Sequence, residues 1–235
     1  MKRMISASVG WSPLPQVVAR RVQQKILSGE WKPGEQIPSQ RILSEHFNVS
    51  RASLREALLT LETLGLIKTE PGRGTYVTAG RNDSTEALKW RYSDSFAMAD
   101  VFETRLMLEG QIVENAALVM SPSALTVLVG STDEMERCWA AGDLLANVEA
   151  DLRFHHAIAA NCGNKMLRMM YETVQGLLSE TQRQPIPHTN PSRMRDSIAE
   201  HRQIISAVAA NDADAARDAM RCHIRNTAAC AGIAL

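Results

Sequence analysis

The stretch Pro38-Ser39-Gln40-Arg41-Ile42-Leu43-Ser44-Glu45-His46-Phe47-Asn48-Val49-Ser50-Arg51-Ala52-Ser53-Leu54-Arg55-Glu56-Ala57-Leu58 decides how the first third of the chain folds. Ser39 and Ser50 each precede an apolar run at helical spacing, where a side-chain oxygen caps the exposed amides of a new helix. The pattern predicts a short helix over Gln40 to Phe47 and a longer one over Arg51 to about Leu64, parted by the tight segment Asn48-Val49-Ser50. Helix, three-residue turn, helix is a helix-turn-helix. Upstream, Leu14, Val17, Val18, Val22, Ile26 and Leu27 recur at helical spacing. They predict an earlier helix from Leu14 to Leu27, ended by Gly29 and the turn Pro33-Gly34. Downstream, Leu66 to Thr69, then Pro71-Gly72-Arg73-Gly74, then Thr75 to Thr78 predict a β-hairpin, or wing.

The chemistry of this head points to DNA. Arg51, Ser53 and Arg55 bring donors to the start of the third helix. A helix of this kind enters the major groove, where arginine bonds guanine O6 and N7. Arg41 on the second helix is placed to hold a phosphate, and Gly72 lets the wing backbone come close to the duplex, with Arg73 beside it. Any one of these arginines also suits a solvated helix face; their convergence favours DNA. Charge agrees. The 235 residues carry no net charge, but residues 1–78 hold 11 Lys or Arg against 6 Asp or Glu, and residues 79–235 hold 15 against 20. A basic head is joined to an acidic body, as expected of a phosphate-binding module attached to a different domain.

The length suits two domains, at roughly 100 to 200 residues each. Cys138, Cys162, Cys222 and Cys230 show no C-x-x-C pairing, which speaks against a disulfide framework. Ser6, Ser8, Gly10 and Pro13 interrupt any signal-peptide core, and no run of 18 apolar residues occurs. We expect a soluble cytoplasmic protein with no membrane partner. Gly80, Asn82, Asp83 and Ser84 mark a linker. Beyond it, helical patterns run over Met98 to Met120, Ser123 to Ala141, Leu144 to Asn161, Lys165 to Ser179, Ser192 to Ala210 and Ala213 to about Ala231. The expected fold is mainly α: residues 1–78 a winged helix-turn-helix, 79–95 a linker, and 96–235 an all-helical antiparallel bundle.

Asp151 and His155, four apart, share one helix face, while His201 and His223 lie on the last two helices. Three imidazoles and a carboxylate meeting in a bundle core make a divalent-metal site with N and O ligands and open positions. An Asp and a His four apart serve equally as a hydrogen-bonded pair, and spacing alone does not choose. His156 is turned about 100° from His155 around the helix. Arg105 and Glu109 are also four apart, the spacing of an ordinary intrahelical ion pair.

The head resembles the GntR-family winged helix over Pro38 to Glu45, Val49 to Leu58, Leu61 to Ile67 and Gly72 to Val77. In that family the positions matching Arg41, Arg51, Arg55 and Gly72 contact the operator. The second half is similar to the sensor domain of the FadR subfamily, through Asp151-Leu152-Arg153-Phe154-His155 with Asn161 and Asn164, His201 with Ala207, and Asp214-Ala215-Ala216 leading to Met220 and His223. The resemblance implies metal ligation by Asp151, His155, His201 and His223, with zinc the first expectation and nickel or manganese next. It also implies that Arg105, with Glu109, faces an effector pocket. A guanidinium holds a carboxylate bidentately, so a small organic or sugar acid is the expected effector. A half-site reader needs a second copy one turn of DNA away, hence a homodimer on a near-palindromic operator, a repressor released when effector shifts the heads through the linker. Two alternatives stay open: a metalloenzyme using the Asp and three His to activate water, and a regulator whose metal is structural or is itself the signal.

Overall fold

A computed structural model describes residues 13–79, 90 and 92–235. The head consists of α1 (Pro13–Leu27), α2 (Gln40–Phe47), α3 (Arg51–Thr63) and the strands β1 (Ile67–Glu70) and β2 (Gly74–Val77). The caps stand where the serines predict them. Ser39 Oγ accepts from the Ile42 amide, and Ser50 Oγ accepts from the Ser53 amide at 3.1 Å. Asn48 takes the left-handed conformation (φ 53°) that ends α2 and turns the chain into α3. Leu43, Leu54, Leu58 and Leu61 bury their side chains against Val18 and Val22 of α1, which is why the two helices keep a fixed angle.

The strands pair antiparallel, Ile67 with Val77 through Glu70 with Gly74. The segment before α2 adds a third rung, with the Ile37 amide on Thr75 O and the Val77 amide on Glu35 O, both at 2.9 Å. Gly74 has φ 129°, and a Cβ there would stand 2.1 Å from Gln36 Nε2. The positive φ is what favours glycine here.

The remaining helices among the described residues are α4 (Met98–Ala117), α5 (Pro122–Ala140), α6 (Leu144–Ala160), α7 (Lys165–Arg183), α8 (Pro191–Ala209) and α9 (Ala213–Cys230), with a 3₁₀ turn at Ile186–His188. Helix α4 packs on α9 and α7, α5 on α6 and α8, and α8 on α9. Phe102, Ile112, Phe154, Ile158, Ile204, Met220 and Ile224 fill the centre. Mainly-α architecture with one small wing agrees with expectation. Two details differ. Helix α7 runs a full turn past Ser179, and its added residues Glu180 to Arg183 are buried rather than in a loop. Of the expected linker, residues 80–89 and 91 lie outside the described residues; Trp90 Nε1 donates to Phe96 O at 2.6 Å.

The two parts share packing. Leu145 and Val148 of α6, and Ile186 of the 3₁₀ turn, belong to the same buried apolar cluster as the head. Burying each side chain stabilises this junction by roughly 1.5 to 3 kcal/mol. Gln23 on α1 donates to Asp143 Oδ1 at 2.6 Å and accepts from the Leu145 amide at 3.1 Å, so it grips the start of α6. Arg20 pairs with Glu149. Pro187 packs on Gly65, just past α3, where an added Cβ would lie 3.2 Å away.

Candidate metal centre and nucleic-acid interface

Four side chains from three helices meet in the centre of the helical domain. Asp151 and His155 come from α6, His201 from α8 and His223 from α9, and one ligand atom from each lies within 4.8 Å of the others. The three histidines are buried, and Asp151 keeps 13% of its side chain exposed. Phe154, fully buried next to His155, packs edge-on against the His201 ring at 4.4 Å and walls the cluster from the core.

Each imidazole is held by its Nδ1. His201 Nδ1 lies 2.8 Å from Ser197 O, a carbonyl that only accepts, so Nδ1 carries the proton. His223 Nδ1 lies 2.8 Å from Glu200 Oε2, and His155 Nδ1 lies 2.6 Å from Glu109 Oε2. In His201 and His223 this leaves Nε2 as the donor atom toward the cluster, the arrangement that orients metal-bound imidazoles, whereas His155 Nε2 also lies 3.1 Å from Arg105 Nη2. Glu200 is itself fixed, by both terminal nitrogens of Arg193 at 2.9 Å and by Asn226 at 2.8 Å. Burial pushes its carboxyl up, but His223 and Arg193 outweigh burial and bring it to about 2. Burial likewise opposes ionisation of Glu109, and Arg105 with His155 overcomes it, again to about 2. Burial, with the neighbouring His201, drives the His223 pKa down to about 3.

The decisive contact is His201 Nε2 against Asp151 Oδ1, 3.0 Å apart. Asp151 resists protonation: burial alone would raise its pKa, but the neighbouring His155 and His201 rings hold it well below the usual carboxylate range. With Nδ1 protonated, His201 Nε2 is an acceptor and has no donor among the described residues. Two lone pairs at this distance call for a cation between them. Ligand bonds of about 2.1 Å at right angles leave neighbouring donors roughly 3.0 Å apart. The residues present therefore fit a divalent metal, with a borderline set of three nitrogens and one oxygen.

Arg105 is fully buried beside this cluster. Its Nε donates to Glu109 Oε1 at 2.9 Å, Nη1 to Thr181 Oγ1 at 3.4 Å and Nη2 to His155 Nε2 at 3.1 Å. A small cavity of about 40 Å³ opens on the Asp151 and His223 side, with Asn147, Val148, Ile186 and Arg193 in its wall. His156 is exposed and pairs with Gln175 at 3.3 Å; His46 lies in the head and His188 in the 3₁₀ turn. Spacing missed Glu200, Ser197 and Gln182, whose Nε2 donates to Asp151 Oδ2 at 2.8 Å. Glu200 adjoins His201 in sequence, but only the packing of α8 on α9 shows that it serves His223.

In the head, Arg41, Arg51 and Arg55 are exposed, as are Gly72 and Arg73. Arg51 and Arg55, four apart, share the first turns of α3. Ser53 is half-buried and its Oγ lies 2.9 Å from the Ser50 hydroxyl. Arg41 pairs with Glu45 at 3.1 Å and Arg73 with Glu70 at 2.8 Å; such exposed pairs are weak and exchange readily for phosphate.

Two family models match the chain: bacterial regulatory proteins of the gntR family over residues 14–77, and the FCD domain over residues 100–226. The HTH-type transcriptional regulator LutR of Bacillus subtilis (strain 168) is 31% identical over 209 residues, 86% of this chain and 93% of that protein. A protein of Escherichia coli (strain K12) named as an L-lactate dehydrogenase operon regulator is 29% identical over 222 residues, 88% of this chain and 82% of its own. Among solved structures, E. coli McbR/YncC shares the fold with a TM-score of 0.53 and 21% identity, covering 92% of this chain and 95% of that one. From its winged head through its helical body, this chain belongs to the gntR family of bacterial regulatory proteins and carries an FCD domain.

Proposed function

We propose that this chain is a transcriptional repressor that binds a near-palindromic operator as a homodimer and is released by a small organic or sugar acid at a metal-containing sensor site. Its working units are a DNA-binding head over 1–78, a linker over 79–95 and a sensor and dimerisation domain over 96–235, in a cytoplasmic protein. The observation that carries the sensor reading is the buried cluster in which three oriented imidazoles face one ionised carboxylate. Asp151, His155, His201 and His223 hold the ion, with zinc the best match and nickel or manganese compatible with the same donors. When bound, a divalent ion offers open coordination positions to a carboxylate. Arg105 supplies a second positive group against the cluster, and Glu109 keeps both Arg105 and His155 in place. A relative named for an L-lactate dehydrogenase operon is in keeping with an acid as the signal.

The head acts through Arg41, Arg51, Ser53 and Arg55 on phosphates and base edges and through Gly72 and Arg73 at the wing. Two heads give two half-sites one turn of DNA apart. Exposed Leu118 and Val119 at the end of α4, with Val119 beside Gly163 and Met166 just beyond, give the second copy an apolar face. No helix among the described residues is long and apolar enough to cross a membrane.

The test is thermal melting against a panel of organic and sugar acids, with metal-loaded and chelator-treated protein, and His201→Ala as control. An acid that raises the melting temperature only of metal-loaded protein, and not of His201→Ala, is expected, since a specific binder stabilises by mass action. Equal stabilisation with and without metal would remove the ion from the sensor. Loss of folding on chelation would make the metal structural.

A further inference from the structure

Gln23 belongs to α1 of the head and is 2% exposed, although glutamine ordinarily reaches water. Both ends of its side-chain amide reach the start of α6 instead. Oε1 accepts from the Leu145 amide at 3.1 Å, and because a backbone N–H only donates, the orientation of the Gln23 amide is settled. Nε2 therefore faces Asp143 Oδ1, to which it donates at 2.6 Å. Asp143 is the cap of α6, and the same Oδ1 accepts from the Ala146 amide at 2.9 Å. Around this pair the junction is apolar: Val18, Ala19 and Val22 of α1 share one cluster with Leu145 and Val148 of α6. Apolar contact has no direction and lets one surface slide on another, whereas a hydrogen bond fixes distance and angle. Arg20 pairs with Glu149 nearby, but Arg20 is largely in solvent and such pairs hold weakly. The two bonds of Gln23 thus set the register between the head and α6.

We propose that Gln23 is an interdomain latch: its amide fixes the head on the start of α6, and it releases the head when the two shift apart by about 1 Å, which takes Nε2 and Asp143 Oδ1 to roughly 3.6 Å and out of hydrogen-bond range. What each side carries gives the latch its effect. Behind Gln23, Val18 and Val22 of α1 pack on Leu54, Leu58 and Leu61, so the helix that bears Arg51 and Arg55 turns with α1. Behind Asp143, α6 runs unbroken from Leu144 to Ala160, and Asp151 stands about 12 Å along it at 1.5 Å per residue. With the latch closed, head and α6 move as one body; with it open, they share only contacts that slide. Opening is a single step rather than a gradual loosening. It gives up a hydrogen bond to a charged group and leaves the Leu145 amide without its partner. The device works in the same way whichever ligand the helical domain takes.

Hydrogen–deuterium exchange of the full-length protein, read peptide by peptide by mass spectrometry, tests this with Gln23→Glu and with the double variant Gln23→Glu/Asp143→Asn. Gln23→Glu keeps the length of the side chain and the acceptor for the Leu145 amide, but sets a second carboxylate against Asp143. Exchange should rise about tenfold or more in α1 and in the first turns of α6 together. It should stay unchanged in α9, which adds no apolar side chain to the junction. In the double variant an amide donor again faces a carboxylate, and both regions should return close to the unaltered rates. Faster exchange in α6 alone would make Gln23 a cap for that helix and no latch. Unchanged exchange in both regions, or no recovery in the double variant, would also overturn the proposal. Should Gln23→Glu fail to fold, Gln23→Met keeps the length and removes both bonds: a joint rise in α1 and α6 supports the latch, and an unchanged α1 sinks it.

Discussion

Arg55 and Arg51 sit one turn apart at the start of α3, exposed and next to the Ser50 cap, at the end of the helix proposed above to meet bases. If Arg55 bonds a base edge, Arg55→Ala costs about 1 to 3 kcal/mol on the specific site and little on unrelated DNA. Fluorescence anisotropy on the two DNAs separates a base reader from a phosphate anchor, which would weaken both alike. At this scale much was legible. Ser39 and Ser50 announce their helices because capping is local chemistry. Asp151, His155, His201 and His223 stand out because few other side chains ligate, and the cluster brings together all four. Glu200, Gln182 and Gln23 were not legible. Their partners lie on other helices, and a polar residue on a helix reads as a solvated face until packing puts it inside.

Among the elements, α6 carries two tasks on one rigid rod. Its first turn plugs Leu145 and Val148 into the core of the head, and its middle presents Asp151 and His155 to the cluster. The 3₁₀ turn does likewise: Ile186 lines the cavity and also packs in the head's core, with Pro187 set on Gly65 at the end of α3. If an acid occupies the cavity as proposed, these contacts give it a route to α3, beside any effect of the linker. Ile186→Val, costing roughly 0.5 to 1.5 kcal/mol in stability, is expected to keep operator affinity in the absence of acid and to blunt the loss of affinity when acid is added. An unchanged response in operator titrations with and without acid would place the route elsewhere. The bounds of α7 show why such junctions escape sequence reading. Ser179-Glu180-Thr181-Gln182-Arg183 is a polar run that looks like a surface end, yet all five residues are buried: Glu180 and Arg183 border the head, and Thr181 and Gln182 face Arg105 and Asp151 inside the bundle. Helical periodicity identifies the stripe that faces a helix's own bundle; it carries no sign of a second domain arriving on the opposite side.

For the whole molecule, the buried charges set a pH profile. Glu109 and Glu200 have pKa values of about 2 in the folded chain against 4.5 unfolded. Depressed carboxyls contribute stability above 4.5 that is lost as pH falls toward 2. His223, brought to about 3 from 6.5, works the same way: the unfolded chain takes its proton first, so stability drops between 6.5 and 3. Burial lowers His155, but Glu109 outweighs it and raises the pKa, so its contribution is lost only as pH rises above 6.5. Chelator-treated protein should therefore resist urea best near pH 6.5 and weaken on acidification, most steeply below 4.5. Glu109 accounts for on the order of 3 kcal/mol of that loss. A flat urea midpoint between pH 6.5 and 4 would contradict these assignments.

Val148 and Ile186, each with one side on the cavity and the other in the head, have a consequence that runs against the usual direction of a signal. Linkage makes any coupling mutual: the factor by which an acid weakens operator binding is the factor by which operator weakens acid binding. Copies seated on DNA would then respond only at a higher acid concentration than copies free in solution. The threshold of the switch would belong to the promoter and the protein together, and would shift with the number of operator sites the cell presents.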